Sequence, residues 1–125
     1  MLKFWFLLTI FAILVIFQCQ GDNFAYHTRP GNSACGPWVD PENEEYIAVN
    51  PGLFDSRRGE ICSDQGLCFR VKHPSLGERT FRIKDRMIIY RNDLSLKAFR
   101  SYTGLLYKDY KNKGHFDGNG EVVSC

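Results

Sequence analysis

Two histidines, His27 and His115, are the residues best equipped here for acid–base chemistry, because imidazole titrates nearest neutrality. Set on either side of one phosphodiester, such a pair suffices for metal-free RNA cleavage. One ring removes the proton of the 2′-hydroxyl and the other protonates the leaving oxygen. From the residues alone, two unrelated surface histidines account for the pair as well. The aromatic side chains Tyr26, Trp38 and Tyr90 have ring faces that a sugar or a base could stack on, although Tyr90 reads first as a core ring. Arg29 and the run Lys108, Lys111, Lys113 add positive charge, and the lysines read as a solvated loop.

The cysteines carry a different chemistry. Beyond Cys19 in the first segment there are Cys35, Cys62, Cys68 and Cys125. Zinc sites need close pairs at a fixed spacing, and the nearest pair here, Cys62 and Cys68, brackets a longer loop with no second pair behind it. An even number of cysteines in a small exported chain reads instead as a disulfide framework, with three possible connectivities.

Export is the expectation set by the start of the chain. Lys3 is followed by an apolar run from Phe4 to Phe17, the layout of a secretory signal peptide and short of the roughly 20 residues a membrane-spanning helix needs. The small residues Cys19 and Gly21 suit a signal peptidase, so residues 1–21 read as a leader and 22–125 as the mature domain. Loss of Lys3 takes the formal net charge of +2 down to +1. A balance so near neutral demands no nucleic-acid or anionic-membrane partner. The mature chain reads as one monomeric, extracellular domain with no cofactor and no membrane contact.

The elements that must position these residues are mostly strands. Thr28 to Glu45, rich in Gly, Pro, Asn and Ser, reads as a long surface loop. Tyr46–Asn50 reads as a strand closed by Pro51-Gly52. Leu67–Lys72 and Thr80–Lys84 alternate apolar and charged side chains around a turn at Pro74–Gly77. Met87–Tyr90 reads as a further strand, and Val122 and Val123 sit in a last short one. Asn92–Phe99 breaks the period-2 pattern, with Asn92 or Asp93 as an N-cap and Leu94 and Ala98 at helical spacing. The sum is a mainly β barrel or sandwich with one or two short helices.

Several segments together resemble the barwin family, whose six-stranded double-psi β-barrel is shared with expansins and RlpA-like proteins. The resemblance rests on Tyr26-His27 before Arg29-Pro30, on Ala34-Cys35-Gly36-Pro37-Trp38-Val39-Asp40, and on Cys68-Phe69-Arg70-Val71. Phe81-Arg82-Ile83-Lys84-Asp85, Asp93-Leu94-Ser95 with Ala98-Phe99, and Gly114-His115 before Cys125 complete it. It covers nearly the whole mature chain.

The resemblance implies a single disulfide-stapled barrel with bridges Cys35–Cys62 and Cys68–Cys125. The family's third bridge is missing, and its expected positions hold residues near Asp55 and Met87. A cell-wall polysaccharide or chito-oligosaccharide ligand is implied, with chitin-type glycans first and a defence or host–microbe role. Tyr26, Trp38, Arg29 and Asp85 are the implied glycan-binding residues. Asp85 and Asp93 match the acidic residues of expansin-like grooves. Glycoside hydrolysis calls for two carboxylates, but the Thr that expansins carry before the first-strand Tyr is replaced here by Phe24 and Ala25. A non-catalytic binder is therefore the expectation. A ribonuclease using His27 and His115 is the alternative, since barwin-type ribonucleases carry matching histidines. A protease inhibitor acting through its loops is the second alternative.

Overall fold

The computed structural model describes residues 22–125; the leader assigned to residues 1–21 lies outside the described residues. Six strands close into a barrel in the order β1-β7-β4-β6-β5-β8. They are β1 (Asp22–His27), β4 (Ile47–Val49), β5 (Cys68–His73), β6 (Gly77–Arg86), β7 (Asn92–Ser95) and β8 (His115–Val123), while β2 (Gly31–Asn32) and β3 (Trp38–Val39) form a separate two-stranded hairpin. The barrel mixes parallel pairs, β1 with β7 and β4 with β6, with antiparallel ones.

Alternation along the strands decides what fills the barrel. Phe24, Ile47, Val49, Phe69, Val71, Phe81, Ile83, Leu94 and Phe116 are all buried in one core. The β5–β6 hairpin forms as its pattern predicts, with Phe69 opposite Phe81 and His73 opposite Gly77 across the turn. Strand β8 passes so close to this core at Gly120 that a side-chain carbon there would collide with the Phe69 ring. Both implied bridges are present, Cys35–Cys62 and Cys68–Cys125.

Four short α-helices occur among the described residues, more than the one or two expected. The first two, α1 (Pro51–Ser56) and α2 (Arg58–Ile61), follow the Pro51-Gly52 strand stop, in a stretch where the sequence reading placed no element. Proline at the first helical position costs no hydrogen bond, and the Asn50 side chain accepts from Leu53 N at 3.0 Å, so the strand stop is also a helix start. The third, α3, runs Leu96–Thr103. Its cap is Ser95, whose Oγ accepts from Ala98 N at 3.2 Å, and not Asn92 or Asp93, which lie in β7. The lysine run lies on a helix, α4 (Tyr107–Lys113), and not in a loop.

Met87–Tyr90 is not a strand. It is a tight loop between β6 and β7, with Ile88 89% and Tyr90 84% exposed. Its ends are fixed by Met87 N donating to Val49 O at 2.8 Å and by Arg91 N donating to Ile89 O at 2.8 Å. Near the place of the family's third bridge an ion pair stands instead, with the Arg86 guanidinium forked onto Asp55 at 2.9 and 3.0 Å.

Candidate functional site

Strand register brings the predicted acid–base residues onto one outer face. Ala48 of β4, Asp93 of β7, Ala25 of β1 and His115 of β8 lie side by side across four strands. A slip in the β4–β6 register puts Asp85 opposite Ala48 and extends the row. A second row, one pleat along, holds Ser95 and His27. His27 and His115 are thus diagonal neighbours on adjacent strands, at roughly 7–8 Å between α-carbons.

Asp93, Asp85 and His27 are already engaged. Asp93 is 1% exposed and receives a two-pronged hydrogen bond from Arg91, Nε to Oδ1 at 2.7 Å and Nη2 to Oδ2 at 3.0 Å. A buried carboxylate must be paired to stay charged. Arg91 both neutralises Asp93 and covers it. Asp85 accepts from the backbone N of Ala34 and of Arg86, each at 2.9 Å, and so ties the β2–β3 segment to the barrel. The His27 ring shares its Nε2 with the Tyr46 hydroxyl at 2.8 Å, and its Nδ1 is buried without a partner.

Burial lowers the His27 pKa below its ordinary value of 6.5, against the pull of Asp93 and Asp85 and with help from Arg91. The same burial pushes the Tyr46 phenol well above its usual range. A histidine whose pKa falls on folding is protonated first in the unfolded chain. Stability therefore drops as the pH falls below about 6.5, down to the folded-state value, and levels off beneath it. Thermal unfolding between pH 7.5 and 5 should show this slope, and His27→Gln should flatten it. A slope unchanged in the variant would assign the effect to another group.

The aromatic candidates separate. Tyr26 faces the core, half-buried, with its ring 4.8 Å from that of Phe99. Trp38, at the tip of the β2–β3 hairpin, is 63% exposed. Arg29 is exposed on the loop that follows β1. Tyr90 is not a core ring, since the loop that carries it projects into solvent.

Beside Trp38 lies an open hollow of about 450 Å³, floored by Val39, Ile61, Ile83 and the Cys35–Cys62 bridge. Its rim is polar, with Ser33, Ser63, Glu44, Asp64, Arg82 and Lys84. Lys84 Nζ donates to Glu44 at 3.2 Å, while Arg82 Nη2 donates to the carbonyls of Ser63 and Asp64 at 3.3 and 3.1 Å. The backbone N of Asp40 also donates to Glu44, which holds that carboxyl below its usual range. The rim residues come from four separate segments. Sequence reasoning named Trp38 and missed the others, because only their alternation on β6, Arg82 and Lys84 outward, was visible. Among the described residues no group of three or more His, Cys, Asp or Glu side chains is placed to hold a metal ion.

No protein-family model matches the chain, and no curated protein does. Solved structures do. The chain is similar to the Streptomyces papain inhibitor, with a TM-score of 0.61 and 18% identity over 84% of this chain and 96% of that one. It is similar to an expansin of Clavibacter michiganensis, with a TM-score of 0.58 and 20% identity over 82% of this chain and 49% of that one. A mutant of that expansin in complex with cellohexaose matches with a TM-score of 0.57 and 18% identity over 82% of this chain and 49% of the other. These likenesses show the fold, a double-psi β-barrel.

Proposed function

We propose that this double-psi barrel is a secreted, non-catalytic binder of β-linked cell-wall polysaccharide, cellulose-type or chitin-type. The observation that carries the reading is Trp38, an exposed indole set on the rim of a polar-edged hollow. A flat aromatic face packs against the C–H side of a sugar ring, while charged and hydroxyl groups around it take the hydroxyls. The hollow's size falls in the range of ordinary small-ligand sites. The expansin complex with cellohexaose adds support, as a glycan complex of a protein with this fold.

The row at Asp93 supports binding without cleavage. A catalytic acid must reach the glycosidic oxygen, and Asp93 is buried under Arg91 with both oxygens occupied. Ribonuclease chemistry is disfavoured on similar grounds, because the His27 ring has one nitrogen bonded to Tyr46 and the other buried. A protease inhibitor is the second reading. Ile88 and Ile89 project from a loop pinned at both ends, and the papain inhibitor shares the fold.

One set of assays separates these readings. Oxidised mature protein should be retained on insoluble cellulose or chitin and release no soluble sugar. Trp38→Ala should weaken retention about 10-fold, some 1.4 kcal/mol. Retention on neither polymer, or no loss in the variant, would sink the glycan reading. Papain inhibition abolished by Ile88→Asp/Ile89→Asp would replace it with the inhibitor, and metal-independent RNA cleavage lost in His27→Ala with the ribonuclease.

A further inference from the structure

A second hollow, away from Trp38, is built almost wholly of sugar-recognising side chains. It holds about 180 Å³ and is lined by Asp22, Asn23, Asn50, Tyr90, Arg91 and Asn92. These residues meet because β1 and β7 run parallel and start at the same end of the barrel, where β4 ends antiparallel to β7.

Three asparagine amides, one carboxylate, one guanidinium and one phenol ring line the space, and no aliphatic side chain does. Asn23 Nδ2 donates to Asp117 at 3.3 Å, so the groups free for a sugar's hydroxyls are the Asp22 carboxylate as acceptor and the Arg91 Nη1 and Asn92 amide as donors. Tyr90 supplies the aromatic face. It is 84% exposed, yet its hydroxyl lies so close to α1 that a side-chain carbon on Gly52 would sit 3.0 Å from it. The hydroxyl end of the ring therefore lies against the start of α1.

The polar groups are held too. Asn92 is 4% exposed, and its Oδ1 accepts from Asn50 N at 2.9 Å and from Asn50 Nδ2 at 3.3 Å. With the carbonyl oxygen so occupied, the amide nitrogen of Asn92 is the group it has left to offer the hollow. Asn50 in turn spends its Oδ1 on the α1 cap. Arg91 uses Nε and Nη2 on Asp93, which fixes the plane of its guanidinium and turns Nη1 away from the carboxylate. Burial raises the Asp22 pKa, so solvent has limited access to its carboxyl. Donors already held by the protein lose little entropy when a ligand binds, which is the condition for recognising a weakly held, hydrated ligand.

We infer that this hollow is a second glycan subsite, sized for a single pyranose ring and separate from the one at Trp38. The inference rests on the polysaccharide reading, since it extends that ligand class to a second place on the barrel. Two sites on one small domain raise the apparent affinity for a polymer above that of either alone, because the second contact forms at high effective concentration.

The test is an NMR titration of isotope-labelled mature protein with cellobiose and, separately, chitobiose. The side-chain amide signals of Asn23, Asn50 and Asn92 should shift in a saturable way with one of the two sugars. Tyr90→Ala, at an exposed position that leaves the fold intact, should abolish those shifts and leave those of the Trp38 indole N–H. The same variant should lose roughly 5- to 10-fold in retention on polymer, the loss of one of two linked contacts. Unmoved asparagine amides while the Trp38 indole responds would overturn the second subsite and leave the first. Silence at both would mean that the glycan reading itself has failed. Asparagine shifts that persist in Tyr90→Ala would also overturn the inference as drawn, because the ring would have no part in it.

Discussion

Cys68→Ser/Cys125→Ser should cost the mature domain about 4 kcal/mol, most of the margin of a small protein. The bridge joins residues 57 apart in sequence and ties the start of β5 to the end of the chain just beyond β8. Those two strands already pair, with Cys68 opposite Val123, so the native state loses little contact when the bond goes. The cost comes from the unfolded chain, which regains the freedom of a long open loop. At the usual slope for a domain of this size the midpoint should fall by roughly 15–30 °C. Cys35–Cys62, 27 residues apart, closes a shorter loop and should matter somewhat less. Thermal and urea unfolding of the two double variants checks both the size and the order. A loss under about 1 kcal/mol for the longer bridge would mean that the unfolded chain is already held together there.

Phe116→Ala should cost a comparable amount, roughly 3–5 kcal/mol. Phe116 is 2% exposed, and its ring sits 5.3 Å from Phe24, 5.4 Å from Tyr102 and 5.6 Å from Phe99. It is where the barrel meets the helices, since Phe99 and Tyr102 belong to α3. Truncation removes the apolar contact and leaves a void that rings from two layers cannot both close. The variant should therefore lose near-ultraviolet circular dichroism as well as stability. A cost below about 1.5 kcal/mol would show that α3 is free to settle into the gap.

What the sequence makes legible follows from which signals are local. The β5–β6 hairpin is legible because Phe69, Val71, Phe81 and Ile83 alternate with charged residues around a turn. The pairing of the cysteines is not local, and it came from the resemblance. Met87–Tyr90 misleads because β-branched apolar residues favour strands wherever they can be buried, and here the tertiary structure leaves them outside. Helices α1 and α2 are too short to show a period, but Asn50 followed by Pro51 is a helix-start signal that a strand reading overrode. At the candidate site, Asp93 and His115 are visible as chemistry, yet their row depends on the register of a parallel pair, which no local pattern fixes. The forks from Arg91 to Asp93 and from Arg86 to Asp55, and the rim of the Trp38 hollow, are likewise products of folding.

The central claim is that the barrel holds a β-linked glycan at Trp38, and the most direct measurement maps a defined oligosaccharide onto it. Labelled mature protein would be titrated with cellohexaose and chitohexaose while the Trp38 indole N–H and the backbone signals of Ser33, Ser63, Arg82 and Lys84 are followed. The account predicts saturable shifts at these positions with at least one of the two sugars, and none at Trp38 when Ser33→Trp fills the hollow. No shift with either sugar, or shifts confined to Ile88 and Ile89, would contradict it.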